Sequence, residues 1–198
     1  MKTINLQLLI SGMALLAAFT GCKSSTEEPR VSVIPKPVNI EYSGKELEFD
    51  DGVKVVSSDT ALDLAAKRLY DRMKELPQAE FLTESKKASV TVRLKLDERI
   101  GQAEGYQLKI GRDVTISGKD RAGVLHGIES LLQIIHQAPV TEDGFEIPRL
   151  TMTDYPRFGY RGMHLDVSRH FFPPEFIKKY IDLIAMHKMN TFPLAPDR

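Results

Sequence analysis

The 198-residue chain has no tryptophan, a single cysteine, and no run of apolar residues long enough to span a bilayer. One cysteine excludes an internal disulfide and a metal centre built from several thiolates. A charge excess is missing as well. The 27 Lys and Arg residues match 27 Asp and Glu, and the formal net charge is zero, so nothing marks a surface for nucleic acid. Charged residues are interspersed rather than blocked, as on an ordinary soluble surface. HExxH, a glycine-rich phosphate loop after a strand, and a serine set in an elbow sequence are all absent from the chain. Zinc, nucleotide and serine-nucleophile chemistry therefore have no support, and no cofactor is implied.

What is present begins with an address. Lys2 precedes an apolar stretch from Leu6 to Phe19 that is interrupted by polar residues, the pattern of a secretory signal over residues 1–21. It closes on Phe19, Thr20 and Gly21 directly before Cys22. Small residues in front of a cysteine fit the cleft of a bacterial lipoprotein peptidase, so Cys22 is expected to be the lipidated first residue of the mature chain. Its removal of residues 1–21 takes away Lys2 alone among the charged residues and leaves the balance near neutral. Residues 22–30 are polar, end with Pro29 and Arg30, and suit a flexible tether. The expected location is the bacterial cell envelope, with a lipid anchor as the membrane contact.

Residues 31–153 read as one α+β domain, a mostly antiparallel sheet covered by two helices. Pro35 and Pro37 permit only an edge or extended segment, and Ser43 and Gly44 between two short apolar runs suggest a small hairpin. Asp50 and Asp51 before Gly52 indicate a turn rather than an acid pair. Val53, Val55 and Val56 are strand-like, with Ser58 or Asp59 as the cap of an amphipathic helix from Thr60 to Leu76 that Pro77 ends. Val90, Val92, Leu94 and Leu96 alternate with polar residues, and Tyr106 to Ile110 and Val114 to Ile116 flank a turn at Gly111 to Asp113. Asp120 is the expected N-cap of a helix to Gln137, where Gly123 and Gly127 share a side that would approach the sheet closely. His126, His136 and His187 are expected on helices at surface or boundary positions.

A second unit, 154–198, opens with Asp154, Tyr155 and Pro156 as a linker. Tyr160 to Val167 suits a buried strand. Pro173 and Pro174 sit where a first helical turn tolerates proline, and Ile177, Tyr180, Ile181 and Ile184 form a helical stripe ended by Asn190. The run PRFGYRGMHLDVSRHFF from Pro156, followed by Ile181, Asp182, Ala185 and KMNTF at 188–192, resembles the first βα unit of glycoside hydrolase family 20. Ile34 to Pro37 and AGVLHGIESLLQII at 122–135 are similar to the non-catalytic domain that precedes the barrel in that family.

The resemblance implies a β-N-acetylhexosaminidase that removes terminal N-acetylglucosamine or N-acetylgalactosamine from glycans, with the substrate's own acetamido oxygen as nucleophile. It implies a (β/α)8 barrel whose fourth strand ends in an Asp that orients the acetamido group and a Glu that acts as general acid. It also implies that Arg161 hydrogen-bonds the hydroxyls of the terminal sugar, a task suited to a guanidinium fork; pairing with a neighbouring carboxylate is the alternative. Asp166 and Arg169 are expected to brace the strand-to-helix loop. Where the family continues with a pattern like HWHLTDDQGWR, this chain reads Pro193 to Arg198, and two prolines in four residues are poor material for a barrel strand. With 45 residues from Asp154 onward against roughly 250 for a barrel, the expectation is a truncated barrel with no catalytic residues and no activity of its own. The alternative is a non-catalytic carbohydrate-binding lipoprotein module, although no aromatic platform is evident in the sequence.

Overall fold

The computed structural model describes residues 31–195. The signal segment, Cys22 and the tether lie outside the described residues, as do 196–198. Six strands form one sheet: β1 (Asn39–Phe49), β2 (Val53–Ser57), β3 (Val90–Leu96), β4 (Tyr106–Ile110), β5 (Val114–Gly118) and β6 (Phe145–Asp154), in the order β1-β6-β4-β5-β3-β2. Alternation sets their faces. Val90, Val92 and Leu94 of β3 are buried while Arg93 is exposed, and in β4 Tyr106, Leu108 and Ile110 are buried between exposed Gln107 and Lys109. The expected hairpin of β4 and β5 forms, with Ile110 opposite Val114. β1–β6, β6–β4 and β4–β5 are antiparallel; β2–β3 and β3–β5 are parallel. The fold is α+β, a mostly antiparallel sheet with two helices packed on it.

The first helix, α1 (Asp63–Met73), is the crossover that a parallel β2–β3 pair requires. Asp59 caps the 3-10 turn Thr60–Leu62 in front of it by accepting from Ala61 N at 2.8 Å. The helix stops at Met73, earlier than the expected Leu76. Glu75 N and Leu76 N instead donate three residues back, to Arg72 O and Met73 O, because Pro77 disfavours helical backbone at the residue before it. α2 (Arg121–Gln137) starts at Asp120, whose carboxylate accepts from Gly123 N at 2.8 Å. Gly123 and Gly127 are there for space. A Cβ on Gly123 would lie 2.2 Å from the Gly105 carbonyl oxygen, and one on Gly127 2.5 Å from the Ile116 side chain. Phe49, Leu69, Leu94, Ile116, Ile128 and Leu131 are fully buried between helices and sheet, and each contributes roughly 1.5–3 kcal/mol.

The expected hairpin around Ser43 and Gly44 does not form. β1 runs straight through and pairs with β6, with a bulge where Tyr42 faces Leu150 and Glu46 faces Pro148. Gly44 supplies the positive φ of 67° that the bulge needs, and Ser43 Oγ donates to Arg149 O. β6 is a full strand between β1 and β4, and its last residue, Asp154, is buried.

The remaining residues form one βα unit. β7 (Leu165–Asp166) pairs in parallel with β8 (Leu194–Ala195), and the ladder extends back to a Gly162–Thr191 bridge. Between them lies α3 (Pro174–Met186), which stops four residues before Asn190. β8 forms next to Pro193 because the ladder uses only that residue's carbonyl, which accepts from Leu165 N at 3.3 Å. The missing N–H is not called upon. Along α3 the apolar stripe is unevenly covered: Ile184 is 8% exposed, whereas Ile181, Leu183 and Phe176 are 45%, 46% and 42% exposed.

Candidate functional site

The two ends of β7 carry different chemistry. At its carboxyl end, Asp166 accepts from Ser168 N (3.0 Å) and Arg169 N (3.3 Å) through one oxygen and from the Arg169 guanidinium at 2.6 Å through the other. The expected brace of the strand-to-helix loop is therefore present. The Arg169 guanidinium holds the Asp166 carboxyl below the usual carboxylate range. Arg169, although paired with Asp166, is 83% exposed. Behind this loop Phe172, Phe176 and Tyr180 stack in sequence, with centroids 4.8 and 6.3 Å apart, and Phe192, just before β8, tilts against Tyr180 at 5.2 Å.

Arg161 lies at the other end, before β7 begins. Its Nε donates to Lys188 O (2.8 Å), one terminal nitrogen donates to Phe158 O (2.9 Å), and the other forms an ion pair with Glu104 of the first domain. The resemblance implied sugar contacts for Arg161, with a neighbouring carboxylate as the alternative partner. The structure puts it before β7, with its fork turned toward a carboxylate and two carbonyls. Asn190 completes the arrangement, receiving Arg161 N–H at 3.0 Å and donating to Glu104 at 3.0 Å and to Gly159 O at 2.8 Å.

Next to this group sits a buried ion pair that the sequence reading did not single out. Lys188, just past α3, is 5% exposed, and its ammonium lies 3.0 Å from Asp154 and 2.8 Å from the Tyr106 hydroxyl. Tyr106 in turn donates to Asp154 at 3.1 Å and shares a hydrogen bond of 2.7 Å with Ser130. Burial drives the Lys188 pKa below its ordinary value against the pull of Asp154, and burial pushes the Tyr106 pKa up. Glu104 and Lys188, which both line the junction, hold left-handed backbone, with φ of 59° and 57°. Conformations of that kind cost roughly 1–3 kcal/mol each and persist where surrounding contacts fix them. His126 was expected at a surface or boundary position but is only 8% exposed, packed in the interior of this junction with Nε2 3.8 Å from Glu104.

A cavity of about 360 Å³ opens on the junction, lined by Lys36, Glu104, His126, Phe158, Arg161 and Lys188 among others. One sequence signal for this cluster existed: Lys188 is a charged residue between apolar helix positions and a strand, inside the KMNTF motif. Asp154 and Glu104 carried none, since short loops and strand ends are ordinary places for carboxylates.

The pattern defining glycosyl hydrolase family 20, domain 2, matches residues 30–155, and that of the glycosyl hydrolase family 20 catalytic domain matches residues 158–195. A beta-hexosaminidase of Porphyromonas gingivalis is 32% identical over 170 residues, covering 82% of this chain and 22% of that protein. A beta-N-acetylhexosaminidase of Cellulomonas fimi is 31% identical over 173 residues, 84% of this chain and 34% of that one. Among solved structures, the GH20 exo beta-N-acetylglucosaminidase of Vibrio harveyi in complex with N-acetylglucosamine superposes with a TM-score of 0.69 at 28% identity, covering 84% of this chain and 26% of that one. This chain thus spans between about a fifth and a third of the length of these proteins.

Proposed function

The chain belongs to glycoside hydrolase family 20, and from there we propose that it is the N-terminal portion of a β-N-acetylhexosaminidase that removes terminal N-acetylglucosamine or N-acetylgalactosamine from glycans by substrate-assisted hydrolysis. The observation that carries this is the β7–loop–α3 unit. Its carboxyl end presents Asp166 and the exposed Arg169 side by side, at the end of the strand where βα folds gather their ligands. On this geometry Arg169, held in place by Asp166, is the guanidinium for sugar hydroxyls. Arg161, at the opposite end and already paired with Glu104, joins the two domains.

Among the described residues the catalytic portion holds one strand, one helix and the start of a second strand. The Asp and Glu that the family places on its fourth strand are not among them, and residues 31–195 by themselves are expected to release no sugar. The purified chain is assayed with 4-nitrophenyl N-acetyl-β-glucosaminide; nitrophenol release above an enzyme-free blank would overturn the inactivity. N-acetylglucosamine titrated into the labelled chain should shift amides 166–170 before those flanking Arg161, and the reverse order would return the sugar contact to Arg161. Cys22 anchors the chain to the envelope membrane: Cys22→Ala is expected to abolish palmitate labelling and release the protein to the soluble fraction, whereas unchanged fractionation would refute the anchor.

A further inference from the structure

The four charged groups at the junction come in two cross-domain pairs. Glu104 of the first domain meets Arg161, and Asp154 at the end of β6 meets Lys188. A third contact, Arg68 of α1 with Asp182 of α3 at 3.4 Å, lies outside this cluster, and Arg68 also pairs with the buried Glu129. The imidazole of His126, on α2, sits among these pairs without being required by either. Its Nδ1 is 3.3 Å from the Glu104 carbonyl oxygen and its Nε2 is 3.8 Å from the Glu104 carboxylate.

The groups facing it divide by domain. Glu104, from the loop before β4, belongs to the same domain and would stay beside the imidazole if the βα unit moved away. Arg161, before β7, and Lys188, after α3, would leave with that unit, as would Asn190. Asp154 and Tyr106 engage Lys188 rather than the imidazole, and Lys36 and Arg157 line the cavity farther out. In the docked arrangement a proton on His126 would be buried and set against two cations. In the undocked arrangement it would be solvated and would keep its carboxylate.

We propose that His126 makes docking of the βα unit onto the first domain pH-dependent, with one proton taken up at the imidazole as the unit comes away. Burial is the largest cause and, with smaller help from the Arg161 and Lys188 charges, outweighs the pull of the Glu104 carbonyl and carboxylate and holds the docked imidazole below its ordinary pKa. The sign follows. A base whose docked pKa is depressed leaves docking at full strength above the ordinary imidazole value of about 6.5, and weakens it as pH falls below that, by up to about tenfold in the docking equilibrium per pH unit. Glu104 acts in the same direction at lower pH: burial raises its pKa, but hydrogen bonds from Arg161 and Asn190 prevail and hold it below the ordinary value. The latch stands whether or not the chain hydrolyses sugar.

The test is amide hydrogen exchange on the full chain at pH 7.5 and pH 5.5, corrected for intrinsic rates and above the ordinary carboxylate range. Protection at Met163, Leu165, Asn190 and Thr191 is expected to fall several-fold or more at pH 5.5, while β4 and α2 keep theirs, and His126→Gln should remove the difference. Protection that is equal at both pH values, or a difference that survives in H126Q, overturns the proposal. If H126Q loses α2 protection, the wild-type imidazole is titrated by NMR: uptake in step with loss of Leu165 protection supports the latch, and titration with Leu165 protection unchanged refutes it.

Discussion

Replacing Lys188 with methionine keeps the apolar stem and removes the ammonium from a site where it is 6% exposed and 3.0 Å from an Asp154 side chain that is itself 11% exposed. The variant leaves Asp154 buried with the Tyr106 hydroxyl as its remaining side-chain donor. Breaking one member of a buried pair costs about 3–5 kcal/mol, because the surviving charge loses its compensation without regaining water. For a chain of this size each kcal/mol moves the midpoint by roughly 2–4 °C, so K188M should melt on the order of 10 °C lower. Changing Asp154 to asparagine as well removes the stranded charge, so K188M/D154N should recover about 1–3 kcal/mol relative to K188M. Urea unfolding followed by circular dichroism on the wild type, both single variants and the double variant closes the cycle. A K188M cost below about 1 kcal/mol, or a double variant whose cost equals the sum of the singles, would show that the pair is not the coupled, desolvated unit its geometry describes.

Gly123→Ala places a methyl against the Gly105 carbonyl, 2.2 Å from the ideal Cβ, and should cost about 1–3 kcal/mol in urea unfolding; a neutral result would mean α2 can lift from the sheet freely. Arg169→Ala removes only an exposed ion pair and should leave unfolding within about 0.5 kcal/mol, so a large loss would give Arg169 a structural role in place of the sugar contact. Glu104→Gln takes away a carboxylate whose docked pKa lies below its ordinary value. Its stabilisation is present above the ordinary carboxyl pKa and lost as pH falls through the depressed one, so the acid limb of an unfolding-versus-pH curve should flatten in E104Q, and an unchanged acid limb would argue against the Glu104–Arg161 link. With Ile181, Leu183 and Phe176 partly uncovered, hydrogen exchange over 158–195 should run faster than over 60–135; equal rates would contradict that.

Several elements could be read from residues alone because their signals are local. Strict alternation made β3, the β4–β5 hairpin followed from two alternating runs around a turn, and Asp120 capped its helix as expected. Where the reading failed, a distant partner decided. Ser43 and Gly44 carry the composition of a hairpin turn, yet β6 was available to pair with both halves of β1, so the glycine opened a bulge instead. Pro193 looked unfit for a strand, but its side of the ladder asks only for a carbonyl.

The sequence by itself determined the family, through a motif that runs without interruption from Pro156 to Phe171, and the α+β class, through periodicities confined to each segment. Only the tertiary structure decided which arginine faces where. Arg161 and Arg169 lie eight residues apart in one motif, and nothing local distinguishes them. The strand between them sends one guanidinium back to Glu104 and leaves the other on Asp166 at an exposed position. The same holds for Lys188 and Asp154, 34 residues apart: a buried charge is stable only beside its counterion, and that neighbour is supplied by the docking of two domains rather than by any pattern along the chain.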